Sequence, residues 1–226
     1  MTSRRTLAVL ALFFGATASL VAPPRFARAD HRVHGYRLSH DEIPYGHTRK
    51  RQMAAYSRRH YGHRTWRLKR RKVIVLHFTG GSSWRSARNT FASNSPDRGE
   101  LPGTCAHFIV DKRGIVHRIV PVRIRCRHAI GLNHRAIGIE MVQAATYGSH
   151  WADRRILHRH RQIRAALRLV RHLKHRFHVK MRNVIGHAMA NRSPYFRDLE
   201  GWRNDHTDWL WRDLRRFRHR LRAIGG

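Results

Sequence analysis

The stretch VIVLH at residues 73–77 is an uninterrupted apolar segment that ends on a histidine. Two later segments repeat this form: IGIE at residues 137–140 ends on a glutamate, and VIGH at residues 184–187 ends on a second histidine. Continuous apolar runs are typical of buried strands in the middle of a sheet. Because strand ends are rigid, we expect the three terminal polar side chains to hold a fixed geometry at one edge of the sheet.

The two strand-end histidines, His77 and His187, are candidate metal ligands because Zn²⁺ binds neutral imidazole nitrogens. The chain contains 20 histidines, so it is the position at strand ends that distinguishes these two. A catalytic zinc site needs a third protein ligand and an open position for water. We assign the third place to Asp205, which a loop can fold back onto the metal. The neighbouring His206 is the main alternative and Asp208 a further one.

Glu140 and Arg203 are the candidate catalytic residues of such a site. A glutamate at the end of an apolar strand is partly desolvated, which raises its pKa toward the range in which it exchanges a proton with water. A cation two residues before Asp205 can stabilise the oxyanion of a tetrahedral intermediate. The competing interpretations are a salt-bridged structural glutamate and one more surface arginine.

The charge balance is extreme for a chain of 226 residues. There are 47 Lys and Arg against 13 Asp and Glu, a net charge of +34, while 41% of residues are hydrophobic. The length and the apolar content predict one domain with a real core. The charge favours polyanionic partners, and no helix-turn-helix, zinc-finger or RNP-type signature points to nucleic acid. Anionic wall polymers or simply a solvated basic surface are the two interpretations that stay open.

The N-terminus predicts export. Arg4 and Arg5 precede an apolar segment at residues 7–22, and the small-x-small sequence at residues 27–29 fits a signal-peptidase site, so residues 1–29 are interpreted as a cleaved signal peptide. A transmembrane anchor is the alternative, but about 16 apolar residues fall short of the roughly 20 that span a bilayer. After cleavage we expect no stable membrane span. The sequence does not decide between the Sec and twin-arginine routes.

Cys105 and Cys126 are the only cysteines of the chain. An exported protein meets an oxidising compartment, and an even count permits one bridge, so we expect a Cys105–Cys126 disulfide. Two buried thiols are the alternative. Zinc ligation is disfavoured because no CxxC pair exists.

Periodicity predicts an α/β fold: a single domain with a central mixed β-sheet flanked by α-helices. Residues 30–47 are polar and rich in histidine, so they are interpreted as an extended basic segment ahead of a domain at residues 48–226. Helices are predicted at residues 49–60, 83–92, 153–178 and 207–224, and strands at 72–78, 106–110, 115–120, 136–142 and 184–186.

Several short motifs, in order, match one family. The chain resembles the zinc-dependent N-acetylmuramoyl-L-alanine amidases of the type 2 amidase and peptidoglycan recognition protein superfamily, from about Arg49 to the C-terminus. The matching motifs are HFTGG at residues 77–81, AHFIVD at 106–111 with Gly114, RHA at 127–129 with Asn133, IGIE at 137–140, GH at 186–187 and RND at 203–205.

The resemblance implies roles for particular residues. It places zinc ligands at His77, His187 and Asp205, and the catalytic glutamate at Glu140. Arg203 stands where the family has a lysine two residues before the third ligand; it keeps the charge but does not readily release a proton. The catalytic tyrosine of some members is replaced by Ala106. The Asp-Pro-Gly of relatives reads Asp-His-Thr at residues 205–207, which leaves the third ligand open.

Substrate contacts follow from the same resemblance. His128 matches a loop histidine that faces substrate in relatives, and we assign His107 and Asn133 to substrate binding with it. The implied protein is a secreted or periplasmic, monomeric peptidoglycan hydrolase with one Zn²⁺ per chain. It would cleave the amide between N-acetylmuramic acid and L-alanine in peptidoglycan or muropeptides. The alternatives are a peptidoglycan-binding module without catalysis, and a basic wall-anchoring protein that acts through its charge.

Overall fold

A computed structural model describes residues 31–226. The predicted signal peptide at residues 1–29 lies outside the described residues. Within the described part of the chain, none of the helices has both the length and the apolar character that crossing a membrane requires.

A seven-stranded mixed sheet forms the centre of the domain. Its strands follow the order β1-β2-β5-β4-β6-β3-β7. In chain order they are β1 (His31–Val33), β2 (Tyr36–His40), β3 (Val73–Gly80), β4 (Phe108–Val110), β5 (Ile115–Arg118), β6 (Ala136–Ala144) and β7 (Val184–Gly186).

Four of the strands run in the same direction and meet at one edge. β3 is parallel to both β6 and β7, and β6 is parallel to β4. In the β3–β6 register His77 lies directly beside Glu140, and in the β3–β7 register Leu76 lies beside Gly186. The carboxyl ends of the three apolar strands therefore bring His77, Glu140 and His187 to one edge of the sheet, as predicted.

The described part of the chain contains five α-helices. They are α1 (His47–Tyr61), α2 (Trp84–Ser93), α3 (Gly148–His158), α4 (His160–Arg176) and α5 (Trp211–Ala223). Of these, α2, α3, α4 and α5 contact the sheet. Helix α4 buries one apolar stripe against the sheet and exposes its arginines, as an amphipathic helix does. The largest apolar cluster joins residues of β3, β4 and β6 to α3, α4 and α5, and includes Ile74, Ile139, Ile156, Leu169, Val170, Leu214 and Phe217.

The predicted α/β sheet flanked by helices is confirmed, with three corrections to its elements. Residues 30–47 were expected to be an extended lead-in, but β1 and β2 form a hairpin and β2 pairs in parallel with β5, so the sheet begins at residue 31. The single helix expected at 153–178 is two helices, because the backbone of Arg159 is extended (φ −87°, ψ 90°). The last helix begins at Trp211 rather than at residue 207.

The expected disulfide is present between Cys105 and Cys126, whose Cα atoms lie 5.3 Å apart. Both residues belong to a second apolar cluster with Ile109, Ile119 and Val142. The bridge therefore joins the segment before β4 to the loop before β6, and that loop carries His128.

Candidate metal centre and substrate cavity

Three buried side chains converge at the carboxyl edge of the sheet: His77 at β3, His187 just after β7 and Asp208 in the loop before α5. The Nδ1 atoms of the two histidines are 3.1 Å apart. Asp208 Oδ2 lies 3.2 Å from His77 Nδ1, and its Oδ1 lies 3.1 Å from His187 Nδ1. Ligand atoms about 2.0–2.1 Å from a tetrahedral zinc are about 3.3 Å from each other. The three donors are therefore already spaced as such a site requires.

The protonation states of this cluster also suit a metal. Burial and, to a lesser degree, the charge of His187 outweigh the opposing effect of Asp208 and lower the pKa of His77 to about 4, so His77 is neutral with a lone pair available at physiological pH. Burial alone would raise the pKa of the Asp208 carboxyl. The charge and hydrogen bonds of His187 and His77 outweigh burial and hold that pKa well below its usual range. Neutral imidazole and ionised carboxylate are the forms that bind zinc.

Asp208 is held in place by the residues that follow it. The carboxylate of Asp153, buried on α3, accepts hydrogen bonds from the backbone N–H groups of Trp209 (3.1 Å) and Leu210 (2.9 Å). The indole Nε1 of Trp209 donates to the backbone oxygen of His77 at 3.2 Å. Ala188 N donates to the backbone oxygen of Asp208 at 3.0 Å. The third member of the cluster is thus tied to α3, β3 and the segment after β7.

The loop before Asp208 is also fixed by buried polar contacts. Asn204 and Asn191 exchange two hydrogen bonds: Asn204 N donates to Asn191 Oδ1 (2.9 Å), and Asn191 Nδ2 donates to Asn204 O (2.7 Å). Asn204 Nδ2 also donates to the backbone oxygen of His187 at 3.0 Å. Gly186 allows the close approach of this loop, because a Cβ there would lie 1.9 Å from the backbone oxygen of Trp209.

Asp205, the favoured third ligand in the sequence analysis, lies elsewhere. Its side chain is 68% exposed and pairs with Arg98 at 2.6 Å, whereas the side chain of Asp208 is 9% exposed and contacts both histidines. His206 stacks on the ring of His187, with centroids 4.4 Å apart, and lines the cavity described below without joining the cluster. The structure therefore brings Asp208 to the two histidines, the alternative ranked third.

Arg203 is exposed, with its guanidinium over the ring of Phe196 at 5.0 Å. It does not line the cavity that contains the cluster. The oxyanion role was expected for Arg203 because it lies two residues before Asp205. The residue two positions before Asp208 is His206, and it lines the cavity.

Glu140 lies beside His77 in the sheet and lines the same cavity. Burial, together with the negative charge of Asp208, raises the pKa of its carboxyl to about 8. Its Oε2 is a buried atom with no hydrogen-bond partner among the described residues. A buried carboxyl without a salt bridge is poised to exchange a proton rather than to stabilise the fold.

The three residues assigned to substrate binding have different surroundings. His128 Nδ1 lies 3.1 Å from His77 Nε2, and the residue lines the cavity. Asn133 also lines the cavity, but its Oδ1 accepts from the backbone N–H groups of His128 (2.8 Å) and Ala129 (2.9 Å), so it shapes this loop. His107 is fully buried: its Nδ1 accepts from Gly138 N and its Nε2 donates to Ile124 O. Both ring nitrogens of His107 are used inside the fold, which leaves it no atom for substrate.

The cavity around the cluster has a volume of about 570 Å³. Its lining also includes Arg98 and Arg127, neither of which was predicted to be a site residue. Arg127 is held by the backbone oxygens of Glu100 and Pro102 and by Asp97. Arg98 forms an ion pair with Asp205. Asp153 and Trp209 were missed as well, since nothing in their local sequence marks them as supports of a site on a distant strand.

Comparison with known proteins gives a match to one protein family and matches to solved structures of similar fold. Residues 67–208 match the family Amidase_2, described as N-acetylmuramoyl-L-alanine amidase. No curated protein matches the chain in sequence.

Solved structures of similar fold include the catalytic domain of XlyA, which is 17% identical with a TM-score of 0.50 and covers 84% of this chain and 99% of that one. A mutant endolysin from Bacillus subtilis is 19% identical with a TM-score of 0.46, covering 67% and 84%. AmiD from E. coli, in complex with anhydro-N-acetylmuramic acid-L-Ala-D-gamma-Glu-L-Lys, is 20% identical with a TM-score of 0.45, covering 65% and 57%. At these identities the likeness concerns the fold. The family match spans more than half of the chain and contains the whole histidine–aspartate cluster, so this protein belongs to the N-acetylmuramoyl-L-alanine amidase family and is an enzyme of that class.

Proposed function

We propose that the protein is a zinc-dependent peptidoglycan amidase whose metal ligands are His77, His187 and Asp208. The observation that carries this proposal is the convergence of two imidazole nitrogens and one carboxylate within 4.8 Å, all buried, at the floor of the cavity. Two histidines and a carboxylate leave one tetrahedral position open, as catalytic zinc sites do. Bound zinc supplies a Lewis acid that polarises an amide carbonyl and activates water.

Glu140 is the proposed proton carrier. It lies beside His77 in the sheet and faces the cavity, and its buried Oε2 has no hydrogen-bond partner among residues 31–226. A carboxylate there accepts a proton from the attacking water and returns it to the leaving amine of L-alanine. In the metal-free protein the negative charge of Asp208 favours the protonated form of Glu140.

His206 takes the charge-stabilising role that was assigned to Arg203. It lies two residues before Asp208, lines the cavity and stacks on His187. His128 lines the same cavity; its ring nitrogens lie 3.1 Å from His77 Nε2 and 3.4 Å from the backbone oxygen of Ala136, so its ring carbons are the atoms that can contact the bound substrate. The roomy cavity, open beyond the cluster, suits a glycopeptide rather than a small metabolite.

Export to the cell wall is part of the same proposal. Residues 1–29 have the composition of a signal peptide, and the family's substrate lies outside the cytoplasm. The mature protein would act there as a monomer, with its basic surface drawn to the anionic wall. N-terminal sequencing of the protein recovered from the exporting cell tests cleavage before Asp30, and an uncleaved chain in the cytosol would contradict it.

Paired aspartate variants test the metal site. We expect Asp208→Ala to lose bound zinc and to release no N-terminal L-alanine from purified peptidoglycan, because it removes one of three ligands. The matched control, Asp205→Ala, should keep both zinc and activity. Loss of zinc in Asp205→Ala but not in Asp208→Ala would refute the assignment.

A second pair tests the proton carrier and the charge-stabilising residue. Glu140→Gln should bind zinc normally while the rate of alanine release falls about 10²–10⁴-fold, as for the loss of a general base. His206→Ala should lower the rate and Arg203→Ala should not. Full activity in Glu140→Gln would show that another group moves the proton.

A further inference from the structure

A second cavity of about 410 Å³ lies at the β7 edge of the sheet. Of the residues that the structure describes, none lines both this cavity and the one around the histidine–aspartate cluster. We call it the edge cavity. Its floor includes Ile185 of β7 and Met189 of the following 3-10 helix, and its side includes Trp211 at the start of α5. None of these three residues enters the proposed reaction.

Trp211 is a large aromatic residue that is only half buried. Its ring combines a large apolar face with a polar N–H edge, and beside an apolar floor it forms a surface on which a flat ligand can pack. The flat face of an indole packs against the C–H face of a sugar ring. The tryptophan and the apolar floor together therefore offer a place for one ring of a polymer.

Three arginines surround this aromatic surface. Arg218 is fixed in place: its guanidinium lies over the Trp211 ring at 5.3 Å and donates to the backbone oxygens of Val184 and Arg182, both at 2.9 Å. Arg182 and Arg192 are exposed, and among the described residues neither guanidinium has an ion pair. Within residues 31–226, no acidic side chain lines the cavity. The site is thus complementary to an anion, and arginine forks suit carboxylate and phosphate groups.

We propose that the edge cavity is a second binding site, separate from catalysis, for a sugar unit that carries an anionic group within an acidic polysaccharide. Trp211 stacks on the sugar ring while Arg182 and Arg192 bind its charge. A second point of attachment to the polymeric wall raises the local concentration of substrate without any change in the reaction itself. The choice of a wall polysaccharide as the source rests on the proposed function; the recognition of an acidic sugar rests on the cavity alone.

Calorimetric titration with oligogalacturonate tests the proposal, because this oligosaccharide has carboxylates on sugar rings and no amide for the enzyme to cleave. We expect Trp211→Ala and Arg192→Ala each to weaken binding about tenfold, the value of one stacking contact or charged hydrogen bond. Trp211→Phe, which keeps an aromatic face, should retain most of the affinity. Arg164→Ala, an exposed arginine of α4 outside the cavity, is the charge-matched control and should bind as the wild type does.

Three further ligands separate this site from non-specific attraction. A neutral chito-oligosaccharide should bind more weakly than oligogalacturonate, and inorganic polyphosphate should bind equally well with or without Trp211. Equal weakening by Arg164→Ala, or no effect of Trp211→Ala, would overturn the proposal in favour of general charge attraction. Duplex DNA that binds more tightly than the oligosaccharide and depends on Trp211 would assign the cavity to nucleic acid instead. Since these titrations measure binding alone, their failure would leave the amidase proposal unaffected.

Discussion

Replacement of Glu140 by glutamine should stabilise the metal-free protein at alkaline pH. The folded protein raises the pKa of Glu140 from 4.5 to about 8 through burial and the charge of Asp208. An unfolded chain releases this proton near pH 4.5, so between the two values the native state binds more protons than the unfolded state. The free energy of unfolding therefore falls as the pH rises through that window. Glutamine has the same shape and no charge to bury.

The size of the effect follows from the shift. At about 1.36 kcal/mol per pKa unit, a rise from 4.5 to about 8 corresponds to a penalty of about 5 kcal/mol, fully present above pH 8 and absent below pH 4. Relaxation of the buried site and entry of water reduce this penalty. We therefore expect the free energy of unfolding of Glu140→Gln to exceed that of the wild type by about 2–4 kcal/mol at pH 9. At pH 4 the two proteins should be about equally stable.

Urea unfolding of chelator-treated protein at a series of pH values, with the disulfide intact, measures this difference. Glu200→Gln is the control, because Glu200 is exposed and should give no pH-dependent gain. A wild type as stable as Glu140→Gln at pH 9, or a variant that is less stable there, would refute the claim that a desolvated carboxyl lies beside the metal cluster. Enzymatic activity should fall in the same variant, so stability and function should change in opposite directions.

Other changes test the supports of the site. Gly186→Ala should destabilise the fold by about 3 kcal/mol, since the new methyl group would lie 1.9 Å from the Trp209 backbone oxygen. Gly81→Ala is the control, because a Cβ there has no neighbour within 4 Å. Equal melting temperatures of the two variants would contradict the close approach at Gly186. Asp153→Ala should weaken zinc binding about 10–100-fold in a chelator competition, because the backbone N–H groups of Trp209 and Leu210 beside Asp208 lose their acceptor. An unchanged affinity for zinc would show that Asp208 does not need this support. Cys105→Ser with Cys126→Ser should lower the free energy of unfolding by about 2–4 kcal/mol, and a wild type unaffected by reductant would contradict this.

The parts of the site that lie on strands were predictable from local sequence. An apolar run that ends in a polar residue identifies a buried strand and its end, and parallel pairing then brings such ends together. His77, Glu140 and His187 satisfy this description, and the structure places all three at one edge. No long-range information was needed to name them.

The loop residues were not predictable in the same way. Asp205, His206 and Asp208 lie within four positions of each other, and a loop has no periodicity to indicate which side chain turns inward. Similarly, His107 precedes a strand and resembled a substrate residue, yet its ring connects two backbone segments inside the fold. A histidine next to a strand can either face the substrate or bridge two backbone segments inside the fold, and its neighbouring sequence does not distinguish the two roles.

The sequence alone thus determined the family through its short motifs, and five of the seven strands and two members of the histidine–aspartate cluster through local patterns of apolar and polar residues. The tertiary structure decided the third member of that cluster. Trp209 adopts a left-handed backbone conformation (φ 56°), and Asp153, 56 residues earlier in the chain, holds the Trp209 and Leu210 N–H groups. That contact turns Asp208 inward and leaves Asp205 to pair with Arg98 at the surface. Hydrogen bonds between distant segments determine which aspartate turns inward, and such contacts leave no pattern in the local sequence.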